Sequence, residues 1–444
     1  MPSREEIAEM IRETGLDSLD SLFSEIPTDL RKRSLNLPEH VTEYGLIRKA
    51  SQIADENKWS EFTNFMGCGS YDRIIPASVD HIISRSEFIT SYTPYQPEVS
   101  QGLLQALFEY QSTICDLTEM DVTNSSMYDG VTALAEAVRM SYRVNGRKKI
   151  LLPETIYDSK TAVINSYVEG LPVSIEKYRI DRKTGFIDLE DLASRVDGDT
   201  SCIVVENPNG LGVLDPNVTK VHEIKGESNL ISYSDPVSLG AVLTPGKYGA
   251  DISVMEGQPL GLHQNFGGPY LGIMSFRKEL VRKSPGRIIG ETVDVNGKRA
   301  FVMTLQTREQ HIRREKAMSN ICSNQALMAL ASLAYISILG PSGLRKAALM
   351  TIKKSGDLRN RLQKIRKDSV PVSGTLFSDV PVTVRKPESL KPALMKNRIM
   401  GGIPLADLSR SLSGEFRNTF FFSVTEKTED SDIEKLSKVL EVVL

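Results

Sequence analysis

The sequence predicts an α/β protein: a large, mainly parallel sheet domain with helices on both faces, followed by a smaller α+β C-terminal domain. Short apolar runs recur as strands at Ile150-Leu151-Leu152, Ile203-Val204-Val205, Leu230-Ile231-Ser232-Tyr233, Ile252-Ser253-Val254 and Tyr270-Leu271-Gly272-Ile273. Helical periodicity stands before and between several of them, near 99–118, 128–143, 156–168 and 216–226. In the first of these, Leu103, Leu107, Tyr110, Ile114 and Leu117 recur at spacings of three and four, one face of a helix. Strands alternating with helices of this length make crossover units, which lay successive strands parallel and cover both sides of the sheet. A chain of 444 residues is long enough for such a core and for more than one domain.

The elements fall into three stretches. Residues 1–65 are charged and helical in pattern, with Leu19, Leu22, Phe23 and Ile26 before Pro27, too few apolar positions for a core of their own. They read as an N-terminal helical arm. Residues 66–340 carry the sheet. A long helix is expected to start at Thr307, where Thr307-Arg308-Glu309-Gln310 has the form of a capping box, and to run through apolar Ala326 to Leu339 until Gly340-Pro341 breaks it. Residues 341–444 then read as the smaller domain, with a basic helix over 342–366, strands near 370–385 and 416–424, and helices near 388–397 and 429–443.

A net charge of −3 provides no broad basic face, which argues against nucleic acid or acidic lipid as a partner. The sequence holds no uninterrupted apolar run of the ~20 residues a spanning helix needs, and its first residues are amphipathic rather than signal-like. Cys68, Cys115, Cys202 and Cys322 lie far apart, without a C-x-x-C pair or a histidine at metal spacing, so reduced thiols and no metal site are expected. A cytoplasmic protein fits all of this.

Three features of the sheet region then keep the order used by fold-type I enzymes that depend on pyridoxal phosphate (PLP). Asn124-Ser125-Ser126 follows a strand-like run and precedes the helix near 128–143, where backbone N–H groups and hydroxyls could seat a phosphate. Taken alone, the same residues read more readily as a plain helix cap. Asn207, within Glu206-Asn207-Pro208-Asn209-Gly210, ends a buried strand. Asp235 ends the next one; a carboxylate there could keep a pyridine nitrogen protonated, or could simply shape the turn before Pro236.

The next expected residue is missing. After the following strand such an enzyme carries the lysine that anchors the cofactor covalently. Here the segment reads Asp251-Ile252-Ser253-Val254-Met255-Glu256-Gly257-Gln258-Pro259-Leu260-Gly261, and no lysine lies between Lys247 and Arg277. Lys247 precedes the strand in a glycine-flanked loop. The platform is kept and the covalent anchor is lost.

Longer motifs make a resemblance specific. Asn64-Phe65-Met66-Gly67-Cys68-Gly69-Ser70-Tyr71, Ser91-Tyr92-Thr93-Pro94-Tyr95-Gln96-Pro97-Glu98-Val99-Ser100-Gln101-Gly102, Phe266-Gly267-Gly268-Pro269-Tyr270-Leu271-Gly272, Pro285-Gly286-Arg287-Ile288-Ile289-Gly290-Glu291-Thr292 and Gln306 to Lys316 resemble, in order, the N-terminal half of the glycine decarboxylase P-protein family of the glycine cleavage system. Cys68 departs from the methionine common there, and Ser125-Ser126-Met127-Tyr128-Asp129-Gly130 varies on the family's pattern.

The chain is about half as long as the fused P-protein, so the resemblance implies subunit 1 of the two-subunit form, with PLP and its lysine carried by subunit 2. It further implies glycine as substrate and a lipoylated H-protein as acceptor of the aminomethyl group. The shared active site would draw on Ser70, Tyr71, Tyr92, Tyr95 and Gln96 of this chain. Two prolines stiffen Tyr92-Thr93-Pro94-Tyr95-Gln96-Pro97 while it presents two phenols, a hydroxyl and an amide. His311, Arg313, Arg314 and Lys316 put positive charge at an expected helix start, suited to an anion or to plain solvation, and Arg287 and Arg299 are weaker candidates. Two alternatives stay open: a purely structural partner subunit, or a stand-alone PLP enzyme using Lys160 or Lys247.

Overall fold

The computed structural model describes residues 2–31, 36–90, 92–308, 310–321 and 325–444, and it divides into units Met1–Ser60 and Glu61–Leu444. The first unit holds helices α1 (Arg4–Glu13) and α2 (Glu43–Glu56), each with a side-chain cap, from Ser3 and Thr42. Neither helix buries a residue.

In the second unit seven strands form one sheet: β1 (Val122–Thr123), β2 (Lys149–Pro153), β3 (Ser174–Tyr178), β4 (Thr200–Asn207), β5 (Asn229–Ser234), β6 (Ile252–Glu256) and β7 (Gly272–Phe276). Their order is β1-β7-β6-β5-β4-β2-β3. The five from β3 to β6 in that order pair in parallel, and β7 pairs antiparallel with both β6 and β1. All eight residues of β4 are buried, as expected of a central parallel strand covered on both faces. Helices α3 (Gln101–Thr118), α4 (Gly130–Asn145) and α5 (Asp158–Val168) fall where the periodicity predicts them. Sequence patterning missed β3, an edge strand whose Ser174-Ile175-Glu176-Lys177-Tyr178 has only two apolar residues, and the half-buried hairpin of β8 (Ile288–Val293) and β9 (Arg299–Thr304).

The long helix departs from expectation at its start. Gln306–Arg308, Gln310–Arg313 and Arg314–Lys316 form short helical turns, and the helix, α6, runs Ala326–Ile365 across a kink at Gly340. The capping pattern at Thr307 therefore does not start it; Arg308 turns back to the backbone of Leu305 instead. At the far end Gly340, at φ 62° and ψ 179°, leaves the helical conformation as expected, because glycine accepts the positive φ of the kink before Pro341, and a second helical stretch continues from it. By length and mean hydropathy alone α6 is apolar enough to cross a membrane, although serines and the Gly340 kink interrupt its apolar run. Its apolar side packs into the core through Ala329, Ala331, Tyr335, Leu344 and Ala348.

Beyond the bend lie β10 (Asp379–Thr383), β11 (Ile403–Pro404) and β12 (Thr419–Ser423), antiparallel in the order β10-β12-β11, with α7 (Pro387–Lys396) and α8 (Asp430–Glu441). Their core draws in Phe65 and Leu211 from outside the C-terminal stretch, and Thr63–Asn64 pairs with Ile399–Met400.

Candidate active site

Parallel strands present their carboxyl ends on one side of the sheet, and crevices there are the usual ligand sites of open α/β folds. In this chain β4 ends at Asn207, β5 at Ser234 and β6 at Glu256, and a cavity of about 60 Å³ lies against Asp235, Glu256, Tyr233, Tyr157, Lys160 and Asp379. Cofactor pockets are usually several hundred Å³. This one is smaller because its own side chains occupy it.

Asp235 is where the sequence places it, at the end of β5 and facing the cavity. It accepts the N–H groups of Val237 at 2.8 Å and Ser238 at 3.1 Å, and the guanidinium of Arg73 lies 3.7 Å away. Burial pushes its carboxyl up, and Arg73 pulls the other way. Arg73 also binds Glu426 at 2.7 Å and lies over the rings of Tyr71 and Phe377, at 5.7 and 5.8 Å. Lys160 reaches in from α5, 2.7 Å from Glu206 and 4.1 Å above the ring of Tyr233. Lys247 lies on the surface, 3.3 Å from Glu119. Asn207 points elsewhere: its amide oxygen accepts the Asp215 N–H at 3.0 Å and holds the loop after β4.

The expected phosphate seat is also taken. The N–H groups of Asn124, Ser125 and Met127 donate to the carbonyls of Met274, Arg287 and Gly272 at 3.2, 2.7 and 2.8 Å, and Ser125 and Ser126 are buried. At the start of α4 the N–H groups of Val131 and Thr132 donate to Asp129, at 2.9 and 2.8 Å, and that of Gly130 donates to Glu256 at 2.9 Å. Glu256 also accepts from Gln258 at 2.9 Å and Leu271 at 3.3 Å. Burial nonetheless pushes its carboxyl up to about 7, against those three donors. Two carboxylates thus cap the helix end where a phosphate would sit, and the pyridine partner is paired to Arg73. These residues do not fit PLP.

The other expected residues split into two groups. Ser70 and Tyr71 are half-buried and bound within the chain: Ser70 to the Tyr270 hydroxyl at 2.7 Å, Tyr71 through its hydroxyl to Asp379 at 2.7 Å and through its N–H to Gln258 at 2.8 Å. Tyr92, Tyr95 and Gln96 stand on an exposed loop, with Tyr92 83% and Tyr95 49% exposed around buried Pro94. Arg287, itself buried, donates to the Tyr95 hydroxyl at 3.1 Å and to the Thr93 hydroxyl at 3.4 Å, and lies 5.3 Å from the Tyr95 ring. Arg313 is exposed and donates to the Thr307 carbonyl at 3.1 Å. The side chain of His311 lies outside the described residues, as does Cys322; Cys68, Cys115 and Cys202 are free thiols. Arg299 pairs with Glu291 across the β8–β9 hairpin at 2.8 Å.

Arg73, Tyr157 and Asp379 escaped the sequence reading, and Glu256 was seen only as a position without a lysine. Their partners lie up to 353 residues away in the chain, as Glu426 does from Arg73, so no local spacing marks them. Two residues after the Gly67-Cys68-Gly69-Ser70-Tyr71 motif, Arg73 carried the one available hint.

A mainly parallel seven-stranded sheet with a site at its strand ends and a C-terminal α+β lobe is the fold of PLP-dependent fold-type I enzymes. The structure resembles a cysteine desulfurase from Thermococcus onnurineus in fold alone, with a TM-score of 0.63 at 17% identity over 86% of this chain and 94% of that one. Much nearer is a glycine decarboxylase (P-protein) of the glycine cleavage system in inhibitor-bound form, with a TM-score of 0.90 and 36% identity over 100% of this chain and 99% of that chain. The family model "Glycine cleavage system P-protein" matches residues 1–440, and the chain belongs to that family. A probable glycine dehydrogenase (decarboxylating) subunit 1 from Thermoplasma volcanium is 54% identical over 99% of this chain and 100% of its own length. One of the same description from Geobacillus is 42% identical over 99% of this chain and 97% of its own.

Proposed function

We propose that this chain is the subunit of a two-subunit glycine decarboxylase that does not hold the cofactor, and that it lends residues to an active site completed by its partner. The lysine and PLP belong to the second subunit in this reading. There the cofactor supplies an electron sink for the pair left behind when glycine loses CO₂, and the aminomethyl group passes to the lipoyl arm of H-protein.

The observation that carries this reading is the pairing of a filled strand-end pocket with an outward-facing Tyr92–Gln96 loop. The first, at about 60 Å³, is too small for a cofactor of the size of PLP. The second presents phenols and an amide to whatever covers it, held from below by buried Arg287. Phenol O–H groups at Tyr92 and Tyr95 donate to a carboxylate, and their rings exclude water from it. Ser70 and Tyr71 serve this role only at second hand, since their polar atoms bind Tyr270 and Asp379 of the same chain. Arg313 remains a candidate for an acidic partner surface, and the same is proposed for His311.

The test is reconstitution with the second subunit and PLP, read as glycine-dependent exchange of CO₂ with bicarbonate. Exchange is expected only with both chains present. Tyr95→Phe is expected to lower kcat/KM for glycine while the complex still elutes intact. Exchange by this chain alone would overturn the reading, and so would full activity of the Tyr95 variant.

A further inference from the structure

Position 256 holds a carboxylate where the fold's architecture prepares a place for an anion. Three facts bear on it. Glu256 ends β6 and accepts the first N–H of α4, at the positive end of the helix dipole. Glycine at position 130 allows the approach: a Cβ there would lie 2.7 Å from the Glu256 nitrogen and 2.8 Å from its Cα. And Lys160 and Asp235 line the same cavity as Glu256, with Arg73 3.7 Å behind Asp235, so polar groups of both signs border the place.

We propose that Glu256 is an intramolecular substitute for phosphate: its carboxylate fills the cradle and, with Arg73 engaging Asp235, closes this chain to free PLP and to inorganic phosphate alike. A covalent lysine could be lost while the cofactor still bound by its phosphate and ring. Here both of those handles are occupied by the chain itself. The N–H of Gly130 donates to Oε2 of Glu256, while Oε1 faces Gln258 and Leu271, so the side chain is held by its backbone partners and cannot swing aside without leaving three donors unmet. An incoming phosphate would clash with the Glu256 side chain and face the charge of Asp129, joined by that of Glu256 wherever it is ionised, within a water-poor space. Removing the Glu256 side chain reverses the situation. It frees the Gly130 N–H and enlarges the 60 Å³ cavity that Lys160 also lines, which makes room for inorganic phosphate though still not for the whole cofactor.

This deepens the proposed function, because it says why the partner must hold the cofactor, yet it is tested on the full chain alone without any turnover. The unfolding temperature is followed against added potassium phosphate, with chloride at matched ionic strength as reference, and PLP binding is followed by quenching of the protein's fluorescence. The native chain is expected to show no saturable phosphate shift and no saturable quenching. Glu256→Ala is expected to gain a saturable upward shift with phosphate, since a ligand that binds only the folded state raises its stability. Glu256→Ser, which leaves a small hydroxyl in the cradle, is the second variant should the alanine form fold poorly. Saturable binding of PLP or phosphate by the native chain overturns the proposal, as does a folded Glu256 variant that responds to phosphate no differently from chloride. Failure of glycine–CO₂ exchange on reconstitution would instead count against the proposed function and leave these binding results as they stand.

Discussion

Arg73 lies 2.7 Å from Glu426 and 3.7 Å from Asp235, with 1% of its side chain exposed, so one cation neutralises carboxylates from two parts of the chain. It also donates to the Ser378 hydroxyl at 3.3 Å and the Thr351 hydroxyl at 3.4 Å. The pair ties the segment after the Gly67–Tyr71 motif to the end of β5 and to the loop before α8. Removing one member of a buried pair leaves the other charged and dry, which costs far more than the pair itself contributes.

Arg73→Ala is therefore expected to destabilise the chain by about 3–5 kcal/mol, read as a lowered denaturant midpoint. Adding Asp235→Asn to it should recover part of the loss, because a neutral amide needs no counter-charge. Strict additivity of the two changes would mean that Arg73 and Asp235 do not interact.

Glu256 gives the stability a pH dependence whose sign can be worked out. Its folded value of about 7 lies above its ordinary 4.5, so its favourable contribution is complete below about 4.5 and is lost as pH rises through about 7. A shift of that size corresponds to about 3 kcal/mol at most. Burial raises Asp215 to about 6 in the same sense, so the comparison has to be between native chain and variant. Glu256→Gln should flatten the fall in unfolding free energy between pH 4.5 and 8, whatever its absolute stability. Parallel profiles for the two proteins would show that Glu256 titrates normally.

Local pattern made part of the fold legible in the sequence. α3 to α5 are legible by period because each turns one face to the core, and β4 to β6 by composition because the sheet covers both their faces and makes them continuous apolar runs. Asp235 was found because a strand end is a local feature. The long helix was misplaced by some twenty residues because a four-residue capping pattern at Thr307 carries no information about the residues beyond it. The chemical character of the pocket was hidden for a different reason. Glu256 meets Gly130 across 126 residues and Arg73 meets Glu426 across 353, and only the closed sheet brings them together. Absence of a lysine was legible; the carboxylate that takes over the space was not.

Arg287 should act on the reaction through Tyr95 without touching substrate. It donates to Tyr95 and Thr93 and accepts the Ser125 N–H on its carbonyl, at 2.7 Å, so it joins the exposed loop to the turn before α4. Arg287→Lys keeps the charge but cannot reach both hydroxyls with a rigid fork. In the reconstituted enzyme it should lower kcat/KM for glycine about tenfold, equivalent to about 1.4 kcal/mol, with subunit assembly unchanged by size-exclusion chromatography. A loss confined to assembly would show that the loop only packs an interface.

Gly130→Ala tests the close approach on which the filled cradle depends. The added methyl would meet backbone atoms of Glu256 at 2.7 and 2.8 Å, and a backbone cannot rotate aside as a side chain can. α4 packs on β6 and β7 through Ala133, Leu134 and Ala137, so the strain passes into the core beneath the sheet. Alanine ordinarily stabilises a helix over glycine by up to about 1 kcal/mol. Here overpacking should outweigh that gain and leave a net loss of about 1–3 kcal/mol in unfolding free energy. An unchanged or raised midpoint would mean that α4 can move off β6 freely, and the Gly130–Glu256 hydrogen bond would then be too loose to hold the carboxylate where an anion belongs.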